Sequence, residues 1–390
     1  MVAITYARSR LWLGISGVGL IVVISACLLA SGLPLKLLPT SESWSGEDLL
    51  GLLAMISSLV SVMLPLDLLG GYLLPNRSRP GTITIGAFAK GWIRGVMVQA
   101  CFFLIASLLI LAMGRELGLV GAVSAILAIG VVQVAFQFRI ARLTASLPRK
   151  VDEQAEVKAA VSAALAQTSQ WRWKPRPVVV VEHDDIGFTG GIVGLPGMEG
   201  IVVPAASLAK LTPEQLAITI ARRLEAIESG SRTRGVMLAF AWVLVGFALS
   251  ALLPGAGVSS VGELAMTCCG FTLWSFLGLL TLPTLSRQAS YAIDRELMKR
   301  GAEAETFYET LQTLDRLQDD EPKRSAIIET IFHPVPSLDN RRGESASTFP
   351  IAWHAARMTL FVSCSCMGML VRAVHCNIGR PELWVMLPTD

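Results

Sequence analysis

A mainly α polytopic membrane protein, with six to seven transmembrane helices and a small α+β cytoplasmic domain split by a transmembrane hairpin, is the fold class that the chain predicts. Three observations predict it. Of 390 residues 53% are hydrophobic and only 16% charged, and a mean hydropathy of +0.57 is too apolar for an ordinary water-soluble domain. Apolar runs long enough to cross about 30 Å of hydrocarbon fall near residues 11–31, 49–74, 95–114, 117–138, 235–253, 263–283 and 355–373. The polar sequence gathers into two blocks, 139–234 and 284–350, on either side of the fifth and sixth runs.

The organisation expected in order is a four-span region (1–138), a first cytoplasmic part (139–234), a transmembrane hairpin (235–283), a second cytoplasmic part (284–350), and a last span with its tail (351–390). The first run follows Arg8 and Arg10 without a convincing small-residue cleavage site, and reads as a signal anchor. Arg8, Arg10, Arg77, Arg79, Lys90, Arg94, Arg139 and Arg142 fall on one side of the spans, whereas the loops Pro34–Asp48 and Pro254–Glu263 carry few basic residues. The basic side, holding the N-terminus and both soluble blocks, is expected in the cytoplasm of a multi-pass cell-membrane protein. The seventh run is the weakest, with His354 and Arg357 at its entrance; as a span it would put Val374–Asp390 outside. Asp67, near the end of the second run, reads as an interfacial carboxylate close to Arg77 and Arg79.

The first soluble block reads as an amphipathic helix over Val151–Ser169, a strand at Val178–Glu182, a glycine-rich loop, and a strand at Gly200–Val203. A helix over Leu211–Gly230 follows. Thr212 and Gln215 can form a capping box, Pro213 suits the first turn, and Gly230 ends the run. Leu216, Ile220, Leu224 and Ile227 recur at helical spacing, which predicts a buried face opposite Arg222, Arg223, Glu225 and Glu228. In the second block SRQASYAIDRELMKRG, Ser286–Gly301, reads as a helix, a further helix covers Thr306–Leu317, and IFHPVPSLDNRR follows.

Ala221–Ile227, A-R-R-L-E-A-I, resembles the A-H-E-L-x-H-I helix of the HtpX-like and CAAX-prenyl-protease-like integral membrane zinc metallopeptidases. Ser286, Arg287, Tyr291 and Asp294 are similar to that family's S-R-x-x-E-Y-x-A-D helix, and His333, Pro334 and Arg341 to its His-Pro segment with a following arginine. The resemblance covers about residues 150–345, including the hairpin. It implies a soluble metallopeptidase-like domain whose strand pair flanks a groove that holds substrate backbone as an added strand, with His333, Arg341, Asp294 and Tyr291 as groove or framework residues. It also shows what is missing. H-E-x-x-H chemistry needs two imidazoles four apart on one helical face to hold zinc and a carboxylate to deprotonate the bound water. Arg222 and Ala226 stand at the histidine positions, Arg223 at the glutamate, and Ser290 at the third, acidic ligand. A guanidinium has no free lone pair for a metal, alanine offers no ligand, and a serine hydroxyl is a poor one.

The expectation is therefore a catalytically inactive homologue with no cofactor, embedded in the lipid bilayer and binding a polypeptide or a membrane-protein partner. Two alternatives stay open: an active zinc-dependent endopeptidase using other ligands, and a small transporter or channel. Net charge of +3 gives no case for nucleic acid. The seven cysteines, mostly inside apolar runs, predict no disulfide framework. His183 with Asp184 and Asp185 reads as a solvated turn, and His375 and Cys376 with Cys364 and Cys366 as a poor metal site. Arg222 and Arg223 either form a solvated face with ion pairs, or fill the former zinc cavity by pairing with Glu225 or Asp294.

Overall fold

The chain begins its first crossing where the Thr5 hydroxyl accepts the Arg8 amide at 3.2 Å, opening α1 (Tyr6–Ser31). A computed structural model describes residues 5–78, 81, 83–144, 149–150, 154–183, 187–318, 324–343 and 351–385. Arg79, Asp184, Asp185, the helix start expected at Val151 and the last five residues of the tail lie outside the described residues. After α2 (Leu33–Leu37), Ser45 and Asp48 form a capping box at the start of α3 (Gly46–Leu68). A π-turn at Leu69–Leu73 then runs into α4 (Leu74–Ser78).

Among the described residues five helices are long and apolar enough to cross a membrane. One of them, α5 (Ile85–Ala135), has 51 residues and would reach about 77 Å if straight. It is not straight. Gly118 has φ 61° and ψ −151°, a combination that essentially only glycine adopts. Arg94, near the start of α5, donates to the carbonyls of Arg142 at 3.1 Å and Leu143 at 2.7 Å, both in the last turn of α6 (Gln137–Thr144). The two limbs of α5 thus run antiparallel, as the separate runs 95–114 and 117–138 predict, which makes six passes among the described residues. At the turn Arg115 makes a bidentate pair with Asp48, at 3.0 and 3.1 Å, donates to the carbonyls of Ser41 and Ser259, and stacks over Trp44. One guanidinium thereby ties together three loops at that end of the bundle.

The soluble part starts with β1 (Arg149–Lys150) and α7 (Ala155–Gln170), then β2 (Val178–Glu182), β3 (Gly191–Val193) and β4 (Gly200–Pro204). The sheet order is β1-β2-β4-β3, with β2 and β4 parallel and both edges antiparallel. β3 forms inside the stretch that reads as a glycine-rich loop, because β4 offers Gly191–Val193 a free edge. After α8 (Ala205–Lys210), α9 (Pro213–Glu228) carries both hydrogen bonds of the expected capping box, each 3.2 Å. Gly230, at φ 71°, separates it from α10 (Ser231–Ala251).

α11 (Val261–Lys299) corrects one boundary: the sixth span and the expected helix at Ser286–Gly301 are one helix of 39 residues. At 1.5 Å per residue it is about 58 Å long, so it crosses the hydrocarbon and carries on into the soluble domain. There α9, α11 and α12 (Ala304–Gln318) share one core, with Leu216, Ala217, Ile220, Leu224, Ile293 and Phe307 buried together. Both polar blocks therefore form one domain on one side of the spans.

The seventh expected span is not a crossing helix. After α13 (Ala326–Phe332) and α14 (Leu338–Gly343), the apolar run gives only the nine-residue α15 (Ala355–Ser363), followed by 3-10 turns at Cys364–Cys366 and Met369–Arg372. Its backbone goes in and comes back. The Trp353 amide donates to the carbonyl of Ser231 at the head of α10, a Cβ on Gly130 would sit near Ser365 and Phe240, and Gln137 donates to the carbonyl of Val385, on the side where the segment entered. Non-helical backbone survives at membrane depth only when protein surrounds it, and this segment is buried almost throughout. Hydropathy cannot separate such a re-entrant segment from a span. The described tail from Val374 accordingly lies on the entry side, opposite to where a seventh span would have put it.

Asp67, expected as an interfacial carboxylate close to Arg77 and Arg79, is fully buried, and Arg372 of the re-entrant segment is its ion-pair partner. Trp92 Nε1 at 2.9 Å and the Gly379 amide at 3.2 Å also donate to it. The π-turn beside it needs Gly71, where a Cβ would lie 2.0 Å from the Gly379 carbonyl oxygen.

Candidate functional site

The helix α9 is enclosed on all sides, and that overturns the solvated face. Every residue from Leu216 to Ile227 is buried, with Arg222 2%, Arg223 0% and Glu225 5% exposed. The surroundings explain it, since α7, α10, α11 and α12 pack against it and Ile192, Ile201 and Val203 of the sheet share its core. Arg223 points to the sheet and donates to the carbonyls of Thr189 at 2.6 Å and Val202 at 3.4 Å. Glu225 accepts from Trp173 Nε1 at 2.9 Å and pairs with Arg300 at 3.2 Å. Burial pushes the Glu225 carboxyl up, helped by Glu296 and Glu228 and opposed by Trp173 and Arg300. Only Glu228 of the four charged positions reaches the surface.

Arg222 points to α11. Its Nε lies 3.0 Å from Asp294 Oδ1, while Arg341 Nη1 lies 2.8 Å from Asp294 Oδ2. One buried carboxylate is shared by two buried guanidiniums, drawn from α9, α11 and α14. Ser290 stands one turn before Asp294 on the same helix and is buried; its hydroxyl donates to the Ser286 carbonyl at 3.2 Å. Ala226 is buried between α9 and its neighbours. Tyr291 is half-buried beside Arg287. Arg287 reaches across to donate to the carbonyls of Glu329, Thr330 and His333, closing the end of α13 and fixing the turn that presents His333. The donor set at Arg222, Arg223, Ala226 and Ser290 does not suit a divalent cation: two guanidiniums repel one, and only a hydroxyl oxygen already turned to its own helix is left. Among the described residues no group of three or more His, Cys, Asp or Glu side chains is placed to hold a metal ion.

A cavity of about 230 Å³ opens beside Arg222, bounded by the end of α12, the segment from Arg324 to Arg341, the start of α1 and the returning C-terminal segment. It is not the groove expected between the strands and α9. Ile192, Ile201 and Val203 fill that space against Leu216, Ala217 and Ile220. The opening lies instead where the soluble domain meets the bundle. His333 lines it, as the resemblance implies, and so do Arg222 and Arg341. Arg10, Arg324, Arg357, Arg380 and His375 also line it; sequence reasoning passed over them as site residues. The available signal was charge inside otherwise apolar sequence, in α1 and in the run after residue 351.

His333 is 8% exposed, its Nε2 makes no hydrogen bond, and its ring centre lies 5.4 Å from that of His375. Burial holds it well below the usual histidine range, and Arg324, His375, Arg357 and Arg287 add to that. The sign for stability follows. Below about pH 6.5 the unfolded chain binds a proton at this residue and the native state does not, so stability falls as pH falls and is flat above that value. His333→Gln is expected to flatten the decline of the unfolding temperature between pH 7 and pH 5 in detergent. An unchanged acid limb in His333→Gln would assign that decline to other groups.

Seven solved chains match this fold. Among them the crystal structure of S. mikatae Ste24p aligns with a TM-score of 0.58 at 15% sequence identity, covering 77% of this chain and 75% of that one. At that identity the likeness is one of fold. No family model matches the chain, and no curated protein matches it.

Proposed function

We propose that this Ste24p-like fold serves binding without peptide hydrolysis: the protein is a catalytically inactive membrane metallopeptidase homologue that receives a polypeptide or a partner membrane protein at the cavity beside Arg222, on the cytoplasmic side of a multi-pass cell-membrane protein. The observation that carries the reading is the Arg222–Asp294–Arg341 cluster. At the position where the resemblance puts a zinc ligand stands a cation bonded to a buried carboxylate, which takes over the structural charge of a metal without its chemistry. Family-type hydrolysis requires an ion that lowers the pKa of water and polarises a carbonyl. A guanidinium does neither, and a neutral His333 supplies a hydrogen bond.

The test is metal analysis with a casein-type protease assay on the detergent-purified chain. No bound zinc and no chelator-sensitive proteolysis are expected. Stoichiometric zinc with chelator-sensitive cleavage would overturn the reading in favour of a peptidase. Arg222→His, Arg223→Glu, Ala226→His and Ser290→Glu together restore the ligands and the base, but Glu at 223 would face the Thr189 and Val202 carbonyls without a donor. The triple variant that keeps Arg223 is therefore expected to fold more stably than the quadruple one.

A further inference from the structure

A second, much smaller space lies within the bundle, away from the cavity beside Arg222. It sits in the seam between α11 and α15, lined by Ser275, Gly278 and Leu282 on one helix and by Ala356, Thr359 and Ser363 on the other. Both sets recur at three- and four-residue spacing, so each belongs to one helical face. The small side chains at Ser275, Gly278, Ala356 and Ser363 leave the two faces unfilled where they meet. About 10 Å³ is open there to the centre of a water molecule, the room that a single molecule needs.

Two hydroxyls in this wall are left unused by the rest of the protein. Ser275 Oγ and Thr359 Oγ1 make no hydrogen bond, while the two residues are only 5% and 4% exposed. Neighbouring hydroxyls show the ordinary solution: Ser250 on α10 and Thr272 and Thr281 on α11 donate to the carbonyls four residues back, at 2.6, 2.8 and 2.9 Å. Ser275 and Thr359 do not, and both belong to apolar runs, where the bilayer supplies no partner and a stranded polar group is costly. Ser363 adds a third hydroxyl. It donates to the Leu360 carbonyl at 2.7 Å, and its oxygen can still accept. Two groups able to donate or accept and one able to accept match the roughly three hydrogen bonds of a buried water. Every described residue lining the space is neutral, so an ion would find no counter-charge, and an organic ligand would not fit.

We propose that the seam holds one water molecule, bound by Ser275, Thr359 and Ser363, which fastens the re-entrant segment to α11. Toward the soluble domain the same seam is closed directly, where the Ala356 amide donates to Ser286 Oγ at 3.5 Å. Asp294 lies two turns beyond Ser286 on α11, so the water joins the re-entrant segment to the helix that carries the Arg222–Asp294–Arg341 cluster.

The test is a density map of the full chain in lipid nanodiscs at a resolution that shows ordered water. A single peak within hydrogen-bonding distance of Ser275 Oγ and Thr359 Oγ1 is expected. An empty seam overturns the proposal, and so does either hydroxyl bonded to a carbonyl of its own helix. A double-mutant cycle reads the bridge independently. Ser275→Ala and Thr359→Val are each expected to lower the unfolding temperature of the detergent-purified chain by about 2 °C, the scale of one buried hydrogen bond. The double variant should fall no further than the larger single shift, because the first substitution already releases the water. Additive shifts, or no shift in either single variant, overturn the bridge. Where a variant fails to fold, the wild-type map decides.

Discussion

Asp294→Ala is expected to lower the unfolding free energy by about 3–5 kcal/mol, the cost of stranding a buried charge. Asp294 is 4% exposed, Arg222 2% and Arg341 9%, so the substitution leaves two largely buried cations side by side. Both carboxylate oxygens are in use, one at 3.0 Å and one at 2.8 Å. Arg222→Ala is expected to cost less, because Asp294 keeps Arg341. Asp294→Asn should fall between them, retaining an acceptor but not the charge. Chemical or thermal unfolding in detergent gives the order directly. A cost below about 1 kcal/mol for Asp294→Ala, the range of a solvated pair, would show that water or lipid reaches the cluster.

Asp67→Ala is expected to have a comparable effect, about 3–5 kcal/mol, with a structural signature of its own. Its carboxylate holds Arg372, the Trp92 indole and the Gly379 amide, which fasten the re-entrant segment to α3 and α5. Without it the segment loses its anchor while Arg372 stays buried. Cys364 and Cys366 report on this, being fully buried in the native fold. Maleimide labelling at these two sites, resolved by peptide mass spectrometry, should rise sharply in Asp67→Ala. Pairing it with Arg372→Met removes the stranded charge, and most of the lost stability should return. Labelling that stays at the wild-type level in Asp67→Ala would show that packing alone, around Trp353, Phe361 and Trp384, holds the segment.

Much of the architecture is local and therefore legible. The bilayer sets a minimum length for an apolar run, which located the first six passes, including the pair on either side of Gly118. Thr212, Gln215 and Gly230 announced the ends of α9 because caps depend on neighbours within four residues. That Arg222, Arg223, Ala226 and Ser290 offer a metal no good donor was likewise readable, since it depends only on which atoms those side chains carry. Tertiary structure decided the rest. The sequence left Arg222 and Arg223 either on a wet face or in a cavity, paired with Glu225 or Asp294; the helices and sheet around α9 decide for burial, and the placement of Asp294 and of the Thr189 and Val202 carbonyls makes burying those charges tolerable. Hydropathy made residues 355–373 a span, because an average over a window ignores how the backbone finds its hydrogen bonds. Whether that run crosses or returns was settled by Asp67, Gly71, Arg10 and Gln137, residues more than 200 positions away in the chain that supply the missing charge, space and donors. The cavity beside Arg222 belongs wholly to this second class: its lining comes from α1, α9, α12, the segment from Arg324 to Arg341 and the returning C-terminal segment, and nothing short of the fold brings them to one place.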